Sequence, residues 1–532
     1  MIVRYDANIN KFEIVESTRL EYNQVKLKLI RKAKNYKFTP QFKRKIWDGS
    51  VDNFNGGSIS YGLWKEMALA LQEIGCKLIV ENKEDLPIDR TVTLEKVTKF
   101  CDDFFKDHYY LDENGEKKNF DAYKHQVEAA YKVLRNRYCT VEVATSGGKS
   151  LIISIVYFYL LRHYGDTKKF LLIVPSLTLV TQFYDDILEY NYGKFKENVN
   201  PIDLKVQEIM SDKPRKWHGE GEPNIYISTY QSLSNVTNFG EKFYTQFFGV
   251  SCDEAHMAKS ASFNKILSRT IKASKYQFGV SGTFQDDEFA EYISIQKLTG
   301  PKVIKVRAKE LQELGIISWV RILQIHLNHD DPEFLQMLKT IRSNPNSGAE
   351  AYRLEGDYVR SSDKRMKFIT KLISTMKNNS LVLFNIIEYG LEIVEALKEF
   401  LAQQIEEGKV EIHLIYGEIK KAEREEIKKR MELNDGVIRI LVASYGTLST
   451  GVSIKNIHNV VFAEGFKSES RIIQSIGRAL RLHETKTIAS IYDIVDLFTE
   501  ERGHSSLKNH GEERLLMYKK HEYPYKVKKF ML

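Results

Sequence analysis

Two α/β domains in tandem, each built on a buried parallel sheet and preceded by a small α+β module, are what the 532-residue sequence predicts. Three observations carry that expectation. From about residue 120 onward, short continuous Val/Ile/Leu/Phe runs alternate with longer helical patterns. Those runs fall into two series, and the first hundred or so residues follow neither. Continuous apolar runs arise where helices cover both faces of a sheet, whereas strands exposed on one face alternate apolar with polar.

The N-terminal module is marked by its charge. Residues 26–45, "KLKLIRKAKNYKFTPQFKRK", hold nine basic side chains and no acidic one, with Tyr36, Phe38 and Phe42 among them. Clustered cations displace counterions from phosphates, and rings between them offer stacking surfaces. Two readings stand: a solvated face with its aromatics in a small core, or a nucleic-acid grip with Lys43, Arg44 and Lys45 as contacts. The mixture of rings and cations favours the second. Over the whole chain, 79 Lys+Arg against 71 Asp+Glu leave a net charge of only +8, so the local cluster says more than the total.

The four cysteines, Cys76, Cys101, Cys139 and Cys252, lie far apart with no C-x-x-C pair, which argues against structural zinc and a disulfide framework and fits a reducing cytoplasm. No secretory signal is visible at "MIVRYDANIN", and the longest apolar stretch, Leu151 to Leu161, is too short to span a bilayer and is expected as a buried helix.

The first series of strands is expected at 139–143, 170–174, 224–228, 247–252 and 276–281, and the second at 380–384, 411–416, 438–444, 459–464 and 491–495. Between them, residues 328–350 concentrate Pro, Asn, Ser and Gly and are expected to be a linker. The expected domains are thus 1–115 (basic module), 116–327 (first α/β domain), 351–505 (second α/β domain) and 506–532 (helical tail).

Chemistry enters at "ATSGGKS". Gly147 and Gly148 suit a loop whose backbone N–H groups curl around phosphate; Lys149 would reach the β/γ-phosphates, and Ser150 would place its hydroxyl on Mg2+ at the next helix N-terminus. Val143 occupies the position of the usual early glycine, so an incidental turn is the competing reading. A second motif, "VSCDEAHM", follows an apolar strand about a hundred residues later. Asp253 there suits magnesium, and Glu254 suits polarising the water that attacks the γ-phosphate. Carboxylates that merely cap a helix are the bland alternative. In "RIIQSIGRALRLHE", Gln474, Arg478 and Arg481 share a helical segment, with the arginines three apart on one face. Such guanidinium groups could stabilise charge on a transferring phosphoryl group, or could form a surface salt-bridge helix.

Together "ATSGGKS", "DEAH", "SGT" (281–283) and "QSIGRALR" resemble, in order and approximate spacing, the superfamily 2 helicases and translocases, in which the early glycine is commonly missing. The resemblance implies two RecA-like domains, ATP as substrate with Mg2+, and nucleic acid as partner. It also implies roles for Gln126 in adenine reading and for Thr145, Ser146 and Gly451 at the nucleotide. His256 would link hydrolysis to the DNA-facing loops, together with Ser281 and Thr283. Ser176, Thr178, Thr229, Tyr230 and Ser444 would be strand contacts. Where many relatives carry Gly-hydrophobic-Asp, this chain has Gly451, Val452 and Ser453, so the contact made by that Asp is in question.

"YKFTPQFKRKIWDGSVDNFN" and the ending "LKNHGEERLLMYKKHEYPYKVKKFML" extend the likeness to the UvsW group of bacteriophage recombination and repair helicases. A phage protein of this kind is expected in the host cytoplasm, without a membrane partner; a monomer is the expectation, although no motif speaks to oligomeric state. Its substrates would be branched, single- and double-stranded DNA and RNA–DNA hybrids, worked on beside other recombination or replication proteins. A double-strand translocase without strand separation and an RNA helicase stay open as alternatives.

Overall fold

The computed structural model describes residues 1–532 apart from 55–56, 112–114, 211–218, 235–239, 285–289, 345–346, 450–453, 466–471, 474, 478–480, 484–485 and 499–504. The chain divides into two compact units: residues 1–144 with 148–306, and residues 307–532, with which the short stretch 145–147 groups.

In the first unit, the N-terminal module is a four-stranded mixed sheet in the order Ser58–Ser60, Lys11–Glu16, Ile2–Asp6, Ile79–Val80. Helices Arg19–Leu29 and Trp64–Gln72 bury Val25, Leu29, Met67 and Leu71 against Val3 and Phe12 of that sheet. The first of these helices starts at a reciprocal cap: Glu21 N donates to Thr18 Oγ1 and Thr18 N donates to Glu21 Oε2. The module is not free-standing, because Tyr138 and Ile293 of the motor sheet and its covering helix complete its core.

The motor sheet of this unit has seven strands in the order Val206–Ile209, Ile225–Thr229, Phe170–Val174, Gly249–Asp253, Tyr276–Ser281, Tyr138–Val143, Lys302–Val306. Every pairing is parallel. The strands at 170–174, 225–229 and 249–253 are buried along their whole length, as continuous apolar runs require. Helix Lys149–Tyr164 packs inside the fold, with Leu151 through Phe158 all buried. Helix Leu94–Phe105 belongs with this domain: the Phe104 ring packs at a tilt against Phe158 of the buried helix, with centroids 5.2 Å apart. A boundary at residue 115 therefore cuts through packed aromatic contacts.

The second unit holds another all-parallel seven-stranded sheet, ordered Val410–Ile415, Ile438–Ser444, Ser380–Phe384, Asn459–Phe462, Ile488–Leu497, Trp319–Asn328, Tyr525–Met531. Two expectations are corrected here. Trp319–Asn328, assigned by sequence to the first motor domain, pairs with Ile488–Leu497 over ten residues in the second sheet, and helix Pro332–Arg342 fills the expected linker. The expected helical tail is a helix only over Ser506–Lys520; Tyr525–Met531 then closes the sheet as an edge strand. Its run of lysines is polar enough to hide a strand in sequence, and charged side chains are common on exposed sheet edges.

Two buried arginines pin this sheet to its helices. Arg365 donates to both carboxylate oxygens of Asp496 (2.8 and 2.9 Å) and to the Ala463 carbonyl (2.6 Å), and Arg514 is held by Asp493. Among the described residues, no helix is long and apolar enough to cross a membrane.

Candidate active site

In a parallel α/β sheet the carboxyl ends of the strands, the loops that follow them and the helix N-termini they feed form the binding edge. In the first unit that edge gathers chemistry. Strand Tyr138–Val143 runs into the glycine loop, Asp253 ends Gly249–Asp253, and Ser281 ends the neighbouring Tyr276–Ser281. Asp253 pairs in register with Val280, which brings the two strand ends side by side.

The loop's geometry explains its residues. Gly148, just before helix Lys149–Tyr164, has φ +80°, and a Cβ there would stand 2.0 Å from Gln126 Nε2. The left-handed backbone favours glycine, and any larger residue would also have to displace the Gln126 amide. Ser146 also adopts positive φ (68°), so the chain curls tightly before the helix N-terminus, the end at which helices favour anions. Gln126 is buried against this curl, and its Oε1 accepts from Tyr123 N at 2.9 Å, capping helix Lys124–Asn136.

Lys149, Asp253 and Glu254 interact electrostatically. Asp253 is 6 % exposed, and its Oδ1 has no hydrogen-bond partner among the described residues. Burial, and then the neighbouring Glu254 charge, push its carboxyl above the ordinary carboxylate range. Burial acts on Glu254 in the same sense, but Lys149, His256 and Ser281 outweigh it and hold that carboxyl below its usual value. Glu254 is therefore the ionised member of the pair. It sits at φ 50°, in the left-handed region.

A compact network links this carboxylate to the next strand. Ser281 Oγ donates to Glu254 Oε2 (3.2 Å) or to the Thr283 carbonyl (2.8 Å) and accepts from Thr283 N (3.3 Å). His256 Nδ1 lies 2.9 Å from the same hydroxyl and 3.2 Å from Glu254 Oε2. These bonds connect the Glu254 carboxylate to Thr283 at the start of the loop after Ser281.

The other expected residues fare differently. Ser150 Oγ lies 3.2 Å from the Tyr190 hydroxyl and also bonds Asp186, both from helix Leu177–Tyr192. Sequence reading missed this pair, because a contact spanning forty residues leaves no local signal. Ser176 caps that helix by accepting from Leu179 N (3.4 Å), and Thr178 is exposed in its first turn. Thr229 is a correction: at 3 % exposure, with its hydroxyl donating to Ser232 Oγ and accepting from Ser232 N, it secures a turn and presents nothing to a strand. Tyr230 has one ring face stacked on Phe263 at 5.3 Å, so it is not an open platform. Ser444, ending its strand in the second unit, lies 2.7 Å from Thr447 Oγ1. Arg481 is partly buried, its carbonyl accepting from Ser318 Oγ. Gln474, Arg478 and Gly451, with Val452 and Ser453, lie outside the described residues. Lys43, Arg44 and Lys45 are all exposed.

A phosphate-gripping loop, a strand-end Asp-Glu pair and a second parallel sheet in tandem define an ATP-hydrolysing motor of RecA-like domains. Residues 119–286 match the family model for the type III restriction enzyme res subunit, and residues 338–483 match the helicase conserved C-terminal domain. Both matches are domains of helicase superfamily 2. It is 27% identical over 510 residues to the ATP-dependent DNA helicase uvsW of Enterobacteria phage T4, covering 93% of both chains. The crystal structure of T4 UvsW aligns with 100% of this chain and 99% of its own, at 23% identity and a TM-score of 0.46. A fragment of a putative HsdR subunit of a type I restriction enzyme from Vibrio vulnificus shares the fold, with a TM-score of 0.51 at 16% identity, covering 84% of this chain and 73% of that one.

Proposed function

We propose that this helicase couples ATP hydrolysis to the remodelling of branched DNA: regressing forks, migrating four-way junctions and opening RNA–DNA hybrids during phage recombination, repair and replication. The observation that carries this reading is the conjunction, within one unit, of the Lys149–Asp253–Glu254 centre with the exposed cations at 43–45. The T4 relative, named as an ATP-dependent DNA helicase, supports DNA as the polymer.

Each residue has an assigned task. Gly147, Gly148 and the N-terminus of helix Lys149–Tyr164 cradle the phosphates, with Thr145 and Ser146 on the approach and Gln126 behind the loop. Lys149 neutralises the β- and γ-phosphate charge. Asp253 and Ser150 fit a magnesium site, because a buried carboxylate oxygen without a hydrogen bond is costly unless a cation or water meets it. The ion, when bound, would supply further charge neutralisation on the phosphates. Glu254, ionised, orients the attacking water and accepts its proton. His256 and Ser281 sense that change and pass it to the following loop. On sequence grounds Arg478 and Arg481, with Gln474 and Gly451, are assigned to nucleotide binding and to stabilising charge on the phosphoryl group. Ser176, Thr178 and Ser444 grip the strand backbone, and Lys43, Arg44 and Lys45 hold duplex phosphates beside the branch. A monomer working in the host-cell cytoplasm is sufficient for this activity.

The test is a matched panel of single strand, duplex, fork, four-way junction and RNA–DNA hybrid, scored for ATPase and strand separation. Preferential unwinding of branched substrates is expected. Strong DNA-stimulated hydrolysis with no strand separation would identify a translocase instead, and stimulation by RNA alone an RNA helicase.

A further inference from the structure

The basic module displays a built loop whose tip has no structural reason to be apolar. Strands Ile30–Lys32 and Ser50–Asp52 pair as an antiparallel ribbon, and residues 33–49 between them fold into a 3-10 turn, Tyr36–Phe38, and a short helix, Pro40–Lys43. The base is locked. Lys32 Nζ donates to the Asp48 carboxylate, the Asp48 carbonyl and Ser50 Oγ at 2.8–2.9 Å, and Ala33 N donates to the Gly49 carbonyl at 2.9 Å. Gly49, at φ +87°, lets the backbone lie against the Tyr36 ring, where a Cβ would overlap it at 2.0 Å. Tyr36 packs edge-on to Phe42 with centroids 5.0 Å apart, and Trp47 Nε1 donates to the Ser50 carbonyl at 2.7 Å. Lys34 N donates to Glu291 on helix Ala290–Thr299 of the first motor domain, an exposed contact that ties the loop to that helix.

In this hydrogen-bonded loop Tyr36, Phe42 and Trp47 are half-buried, whereas Phe38 is 74% exposed and Ile46 73% exposed. Single exposed apolar residues are ordinary on protein surfaces. Two of them in one preorganised loop, interspersed with exposed Lys37, Lys43, Arg44 and Lys45, are a different arrangement. Among the described residues none of those four cations forms an ion pair, whereas Lys28, Arg31 and Lys32 in the preceding segment each pair with a carboxylate. Unneutralised charge around bare apolar groups is complementary to a polyanion that exposes π-faces where it branches.

We propose that loop 33–49 is the strand-separating pin of this motor: Phe38 stacks on the base pair at a DNA branch point, Ile46 wedges beside it, and the surrounding cations hold the two diverging backbones. The proposal rests on the branched-DNA reading above and adds the element that converts translocation into strand separation. A stiff pin is what the task needs, because a flexible loop would fold away under load instead of parting the bases.

The experiment uses the full-length chain and a fork carrying 2-aminopurine at the junction pair. Wild-type protein, without ATP, is expected to raise the fluorescence as the base is unstacked. The double variant Phe38→Ala/Ile46→Ala, which removes only exposed side chains, should leave the fluorescence unchanged and unwind the fork at least about tenfold more slowly. Its ATPase stimulated by single strand should stay within about twofold of wild type, and Phe38→Trp should restore opening. A double variant that opens forks as fast as wild type overturns the pin alone. A wild-type protein that neither binds nor opens the fork overturns the branched-DNA reading and the pin with it.

Discussion

Replacing Glu254 by Gln isolates the chemical step. The substitution keeps the side chain's size and its ability to hydrogen bond Ser281 and His256, so the fold should tolerate it. It removes the one carboxylate of the centre that its surroundings keep ionised, and with it the acceptor for the proton of the attacking water. A positioned general base is worth about 10²–10⁴ in rate, so kcat should fall by that factor, equal to ~2.7–5.5 kcal/mol of transition-state stabilisation. Nucleotide affinity should not fall in parallel. The Glu254 charge is, after burial, the main influence raising the Asp253 carboxyl, and its loss favours the anionic Asp253 that a magnesium–nucleotide complex needs. Steady-state ATPase with DNA at saturation, set beside binding of a fluorescent ATP analogue, separates the two effects. A variant whose kcat stays within about threefold of wild type, or whose loss is entirely in nucleotide affinity, would refute the assignment of Glu254 as the base.

Other expectations follow from the same geometry. Gly148→Ala forces a Cβ into Gln126 at a left-handed backbone position, and ATPase should drop at least about tenfold through raised KM as the loop opens. Neutralising Lys43, Arg44 and Lys45 together should weaken DNA binding and flatten its logarithmic salt dependence by about two to three units, with DNA-free ATPase unchanged; an unaltered slope would remove these residues from the interface. Arg365→Ala strands the buried Asp496 carboxylate and should cost about 3–5 kcal/mol by chemical denaturation of the second unit at neutral pH. Burial raises Asp496, but Arg365 and His329 outweigh it and hold its folded pKa below the ordinary value. That stabilisation is complete above about pH 4 and is lost as pH falls through the lower folded value, so the gap between variant and wild type should narrow on acidification.

Much of this fold was legible because both sheets are buried on two faces. Strand "FLLIV" is apolar end to end and "SLVLF" is so after Ser380, short runs of the kind that a sheet covered on both faces writes. The strands that escaped are those lacking that burial or interrupted by polar side chains. Lys302–Val306 and Tyr525–Met531 carry lysines on sheet edges, and Trp319–Asn328 alternates apolar residues with Arg321, Gln324 and His326. Losing that last strand displaced the domain boundary. In the site, the Lys, Asp and Glu were readable because each occupies a strand end or the loop after it, announced by the apolar run before it. Thr229 read as a strand contact because sequence does not distinguish a hydroxyl facing solvent from one closing its own turn. Tyr190, beside Ser150, carried no signal at all, because only tertiary packing brings the two together.

The most direct measurement sets Lys149→Ala beside wild type on one forked substrate, recording fork affinity, ATP turnover and strand separation in the same buffer. The lysine loop is held to be the single source of driving energy, so the variant should bind the fork within about threefold of wild type while hydrolysis and unwinding both vanish. Turnover or unwinding near the wild-type rate in that variant would contradict the account at its root.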